Sequence, residues 1–206
     1  MFALVESGSI TKMLNGKRGI TIGGNKYPSA IYTLWTKSER EAIGIYEVEM
    51  NTSKRKNEEW YVNTNVTYAF GGGKVTGSYG DATAKAHADS LFTAQDETDG
   101  KGTEGEVATR GLKYNLIQTI KRQANNLLSE TDWYVTRKTE KSTAIPSNIT
   151  TWRNGIRSKQ AAMETSITNA SDTPALETLY TYVNTADEGD PVVMERPLGE
   201  FPELGS

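Results

Sequence analysis

The chain has no cysteine and a single histidine, His87. Disulfides and thiolate metal sites are therefore excluded, and any Ser-His-Asp or Cys-His centre would have to form around one imidazole. No Gly-x-Ser-x-Gly elbow supports such a centre, and His87 reads as an ordinary surface residue of a helix. Long apolar runs are also missing. Met1-Phe2-Ala3-Leu4-Val5 is interrupted by Glu6-Ser7-Gly8, well short of a signal-peptide core, which predicts a soluble chain that begins as a mature product and does not associate with a membrane. Positive charge is not in excess: the net charge is -3, which disfavours sequence-independent binding to nucleic acid as the main role.

What is present is polar for a compact globule. Hydrophobic residues make up 36% and charged residues 24% of 206, which points to an extended or partner-dependent protein. The first eighty residues are β-rich. Phe2–Val5 and Ser9–Leu14 flank a turn at Gly8, and Arg18–Ile22 leads into Gly23-Gly24-Asn25. Ser38 and Glu41 have capping-box spacing and predict a short helix through Ile43, closed by Gly44. Ile45–Glu49, Trp60–Val62, Val66–Phe70 and Lys74–Tyr79 read as strands of a small antiparallel domain, residues 1–80.

Composition changes after Gly80. Asp81 predicts the cap of an alanine-rich helix from Ala82 to about Gln95, and Asp96–Gly105 a flexible acidic loop. Leu112, Leu116, Ile120, Ala124, Leu127 and Leu128 recur at helical spacing between about Glu106 and Glu130. Gly111 weakens the early turns by about 1 kcal/mol relative to alanine, so that helix is expected to begin nearer Leu112. Trp133-Tyr134-Val135-Thr136 is aromatic and β-branched, which predicts an extended link. Ile149, Trp152, Ile156, Met163 and Ile167 then define one face of a second long helix, antiparallel to the first. Pro174 opens a short third helix over 174–183. The expected organisation is thus α+β: a β-rich domain 1–80, a helical domain 81–185 with its hairpin at about 112–169, and an extended acidic tail, 186–206.

Few residues promise chemistry. Gly71-Gly72-Gly73-Lys74 fails the phosphate-loop pattern at Tyr68 and Val75 and reads as a turn, as does Gly23-Gly24-Asn25-Lys26. Asp96, Glu97 and Asp99 lack the alternating ligands and distant glutamate of a calcium loop. No cofactor or metal site is expected. The candidates are Asp132, Trp133, Trp152, Arg153 and Arg157. One turn separates the two arginines, so both guanidinium groups lie on one side of a helix, where Asp132 or a partner carboxylate could take either. Packing alone would instead place Trp152 in the helix interface and leave the arginines solvated.

Leu127-Leu128-Ser129-Glu130-Thr131-Asp132-Trp133, followed nineteen residues after its tryptophan by Trp152-Arg153-Asn154-Gly155-Ile156-Arg157, resembles a two-helix module of tail assembly chaperone-like proteins from tailed bacteriophages. In that family one helix ends in Leu-Leu-x-x-Thr-Asp-Trp, and a second carries Trp-x-x-Tyr-Arg-x-x-Leu-Arg or a variant. The resemblance is strongest over residues 116–157. Phe2-Ala3-Leu4-Val5 and Arg196-Pro197-Leu198-Gly199-Glu200-Phe201-Pro202 are similar to the beginnings and endings of phage proteins.

The resemblance implies a non-enzymatic tail or tail-fibre protein, assembled in the host cytoplasm, with other phage tail or fibre proteins as partners in a homo- or hetero-oligomer. The large β-rich region and acidic tail depart from the chaperone pattern and favour a subunit retained in the virion. A transient assembly chaperone is the alternative. A hydrolase or a host-glycan-binding module, motivated only by the tyrosine- and tryptophan-bearing β region, is the third reading.

Overall fold

The computed structural model describes residues 1–205 and divides into two compact units, Met1–Thr83 and Ala84–Ser206. The first unit contains β1 (Phe2–Glu6), β2 (Ser9–Leu14), β3 (Ile20–Ile22), β4 (Asn25–Tyr27), α1 (Ile31–Leu34), α2 (Lys37–Ala42), β5 (Ile45–Asn51), β6 (Tyr61–Val62), β7 (Thr67–Gly71) and β8 (Lys74–Ser78). Five strands form one sheet in the order β2-β1-β5-β8-β7. Ser7 and Gly8 both have positive φ, which matches the hairpin's twist and joins β1 to β2.

Alternation along β1 divides the apolar residues between two faces. Leu4 packs with Ile31, Tyr32 and Ile45, whereas Ala3 and Val5 pack with Val75 on the other side. The unit is not wholly antiparallel as expected. β1 occupies one edge of β5, and after the excursion through residues 52–73 the chain returns along the other edge, so that β8 runs parallel to β5. The remaining ladders of this sheet are antiparallel.

The cap of α2 also lies two residues earlier than expected. Thr36 and Glu39 satisfy each other's backbone amides, with Thr36 N donating to Glu39 Oε2 at 2.7 Å and Glu39 N to Thr36 Oγ1 at 3.3 Å. Thr36-Lys37-Ser38-Glu39 has the same capping-box spacing as Ser38–Glu41, and Thr36 has the extended backbone a cap needs.

The two-residue strand β9 (Thr83–Ala84) lies at the boundary. β10 (Ser90–Leu91), α3 (Ala94–Thr98), β11 (Val107–Thr109), α4 (Leu112–Ser129), α5 (Asp132–Lys141), α6 (Ser147–Asn169), α7 (Thr173–Tyr180), β12 (Val183–Asn184) and β13 (Met194–Glu195) follow. The expected helix over 82–95 is absent because its backbone is used elsewhere. The carbonyls of Ala86 and His87 accept the amides of Leu112 and Lys113, which have no partner inside α4, and β10 pairs with β11. Gly111 permits this approach: a Cβ there would lie 2.3 Å from the Ala88 carbonyl carbon.

The acidic stretch 96–105 is also built rather than flexible. Thr93 and Asp96 form a capping box for α3, and Lys101 reaches Asp96 at 3.1 Å and Asp99 at 3.0 Å.

α4 and α6 are antiparallel, because Lys113 near the start of α4 donates to the Thr168 carbonyl while Arg153 near the start of α6 reaches the end of α4. Ile120 and Ala124 of α4, and Ile149, Trp152, Ile156, Met163 and Ile167 of α6, are buried at the expected spacing. The expected extended link at Trp133–Thr136 is instead helix α5. Asp132 in its first turn and Lys138 and Lys141 in its last complement the macrodipole, and this outweighs the weak helix propensity of Val135 and Thr136.

The C-terminal segment does not extend away from the unit. β12 and β13 form a hairpin, after which Leu198 is buried and Phe201 packs on the cluster of Ala124, Trp152 and Ile156. Leu198 and Phe201 are apolar anchors three residues apart, and their burial outweighs the solvation of the acidic residues between and around them.

Candidate functional site

The turn between α4 and α5 leaves polar groups that need a partner. At the end of α4 the Leu128 carbonyl accepts from the Thr131 amide and from Thr131 Oγ1, each at 3.1 Å, and Thr131 is itself buried, so its oxygen has no access to water. Arg153, projecting from the second turn of α6, fills this junction and is only 7% exposed. One guanidinium nitrogen donates to the Leu128 carbonyl and to Thr131 Oγ1, both at 2.7 Å. The other donates to Asp132 Oδ1 at 2.8 Å. A cation therefore sits at the negative end of α4, while the carboxylate that balances it sits at the positive end of α5. Two helix ends are tied to α6 by one side chain.

Of the five candidate residues, the fold brings Asp132 and Arg153 together and separates the others. Arg157 is exposed one turn further along α6, away from Asp132. It borders an open groove of about 640 Å³ between α4 and α6, with Asn125, Gln160, Glu164 and Thr168 among the lining residues. Trp152 is buried in the helix interface, and its indole Nε1–H donates to the Pro202 carbonyl at 2.8 Å.

Trp133 is 51% exposed and lies outside that interface. Its ring stacks on Tyr134 with centroids 3.7 Å apart, and the Arg137 guanidinium lies 4.8 Å from the Trp133 ring centre and 5.1 Å from that of Tyr134. Helical spacing of four residues puts Arg137 over Trp133. Arg137 Nε is buried and has no hydrogen-bond partner among the described residues. With the basic Lys138 and Lys141 of the last turn, this face of α5 has the aromatic and arginine content favoured at the centres of interfaces.

Leu128 and Thr131 stand inside the Leu-Leu-x-x-Thr-Asp-Trp stretch, but their contacts with Arg153 were not expected. Arg137 had no motif to mark it, and the i, i+4 relation of Trp133 to Arg137 was the available signal. Leu198 and Phe201 could have been found as apolar residues standing out in an acidic tail.

Elsewhere, several groups that could carry chemistry are occupied in structural contacts, and His87 stands outside any helix. The Gly111 amide and the Arg110 guanidinium hold the Asp89 carboxyl below its ordinary range. Asp96 is held at about 2, mainly by the Thr93 backbone amide, then by the Thr93 hydroxyl and Lys101. Gly72 and Gly73 have positive φ and turn β7 into β8, and Gly23 and Gly24 do the same between β3 and β4.

Among the described residues no three His, Cys, Asp or Glu side chains gather as metal ligands, and no helix is long and apolar enough to cross a membrane. The aromatic residues Tyr32, Trp60 and Tyr61 of the β-rich unit are buried in its interior. No protein-family model matches the chain, and no curated protein or solved structure matches it either.

Proposed function

We propose that this chain is a structural and interaction protein of a bacteriophage tail or tail fibre, without catalytic activity and without a cofactor, that binds neighbouring subunits through the exposed face of α5. The observation that carries this reading is the Trp133–Tyr134–Arg137 stack. It presents a large, half-exposed indole whose orientation is held by its neighbours, so little side-chain freedom remains to be lost on binding. The Thr131-Asp132-Trp133 and Trp152-Arg153 pieces that resemble the phage module support it, because Asp132 and Arg153 are partners and Trp133 emerges beside them. The reading places the protein in the virion tail, assembled in the host cytoplasm.

Mass spectrometry of virions purified from the phage that encodes this chain tests the proposal. The expected result is recovery of the chain in fixed ratio to tail subunits, and a loss of that recovery in the W133A/R137A variant. Absence from finished particles overturns it. Such absence, combined with co-purification with a tail or fibre protein from infected cells, would select the transient chaperone.

A further inference from the structure

Residues Leu198–Pro202 lie in a site shaped to receive them. Leu198 is 2% exposed, and its amide donates to the Leu179 carbonyl at the end of α7. Gly199 turns the chain with φ +70° close against Lys159. Phe201 then packs on Ala124, Trp152 and Ile156. Pro202 rests on Gly155, where an added Cβ would come within 3.3 Å of Pro202 Cγ, and its carbonyl accepts from the Trp152 indole. An aromatic wall, an indole donor aimed at a proline carbonyl and a small residue beneath the ring are features used to hold proline-containing peptides. The groove continues past Pro202 as a cavity of about 490 Å³ lined by Ser147, Asn148, Thr151 and Gly155.

The connection that delivers this segment is held far less firmly. β12 and β13 share the pairs Val183–Glu195 and Asn184–Met194, and Thr185 N donates to the Val193 carbonyl at 2.8 Å and Val193 N to Asn184 Oδ1 at 3.0 Å; these bonds lie within the ribbon, and a two-stranded ribbon alone is marginal in water. Tyr182, Val183, Val192, Val193 and Met194 are all exposed on it. A well-anchored segment on a weakly anchored connector is the arrangement in which an identical element of another copy can take its place.

We propose that the groove formed by Ala124, Trp152, Gly155 and Ile156, distinct from the one beside Arg157, is a docking site for a Leu-x-x-Phe-Pro segment, and that it accepts this segment from a second copy of the chain in exchange for its own. The contacts made in trans are those made in cis, so the balance is set by effective concentration: exchange grows as copies are brought together. This inference rests on the groove and not on the phage reading, and it uses a different face from that of Trp133.

The test uses three full-length proteins: the wild type, F201A/P202A with a segment that binds poorly, and G155L with a groove that is filled. A fluorescent peptide spanning Met194–Gly205 is followed by anisotropy. It is expected to bind F201A/P202A with a Kd at least about tenfold lower than the wild type, whose groove is occupied, and not to bind G155L. Mixed together, F201A/P202A and G155L are expected to form a heterodimer by light scattering, while neither associates alone. Should F201A/P202A lose its helical circular dichroism, P202A alone supplies the same comparison. Equal binding to all three proteins, binding to none of them, or a mixture that stays monomeric overturns the proposal.

Discussion

Arg153 and Asp132 are 2.8 Å apart, yet the arginine side chain is 8% exposed and the aspartate 61%. The two partners therefore contribute unequally. Replacing Arg153 with methionine leaves the buried Thr131 Oγ1 without its donor and removes one of several donors from the Leu128 carbonyl, and a loss of about 1–3 kcal/mol is expected. D132N removes charge from a group that water already screens, and should cost less than about 1 kcal/mol. Urea denaturation of the two variants checks the order. Equal losses would show that the ion pair, and not the carbonyl and hydroxyl contacts, holds the junction.

The tryptophans should separate in the same way. W152A empties a buried site and is expected to lose about 3–5 kcal/mol, whereas W152F keeps most of the packing and gives up the Pro202 hydrogen bond, about 1 kcal/mol. W133A should cost less than about 1 kcal/mol, because the ring is half in water and only its stacking is lost. Thermal unfolding of the three variants is the measurement.

Asp96 predicts an acid response in α3. Its pKa is lowered on folding to about 2 from an ordinary value near 3.8. A depressed folded value means that its stabilising effect is fully present above the ordinary value and is lost as pH falls through about 2. The protection of the amides of residues 94–99 against hydrogen exchange, taken relative to the intrinsic rate at each pH, should fall between about pH 4 and pH 2. D96N should flatten that dependence, and an unchanged profile in D96N would assign the response to other groups.

Two glycines should respond to alanine for different reasons. At Gly8 the surroundings are open and only the positive φ is unfavourable, so G8A should cost about 1 kcal/mol. At Gly111, the N-cap of α4, the new methyl meets the Ala88 backbone, which cannot rotate away, and alanine is the poorer cap, so about 1–3 kcal/mol is expected. Denaturant midpoints of the two variants make the comparison.

Helical periodicity made α4 and α6 legible from Leu112, Ile120, Ile149 and Ile156, since one buried face enforces one spacing. The same reasoning failed where local preference and tertiary partners disagree. Trp133–Thr136 has extended preferences, but the Arg137 stack and the charges at the ends of α5 make it helical. Ala82–Gln95 has helical preferences, but Ala86 and His87 serve as acceptors for α4. The pairing of Asp132 with Arg153 was one of several open arrangements, because spacing along a chain does not say which of two arginines meets a carboxylate. The seat of Phe201 and Pro202 was hidden because half of it lies about fifty residues upstream.

The parallel pairing of β5 with β8 bears on the order in which the first unit assembles. The hairpins β1–β2 and β7–β8 close over a few residues each, but Val48 can meet Val75 only after the intervening loop has been drawn in. The slow step of that unit is therefore expected to be the seating of β5 between the two hairpins, since Leu4 must also meet Ile45 across a still longer segment. Until then the edges of β5 and β8 stay open to other chains, which makes the seam between them the place where a crowded, newly made population of this protein is most prone to mispair.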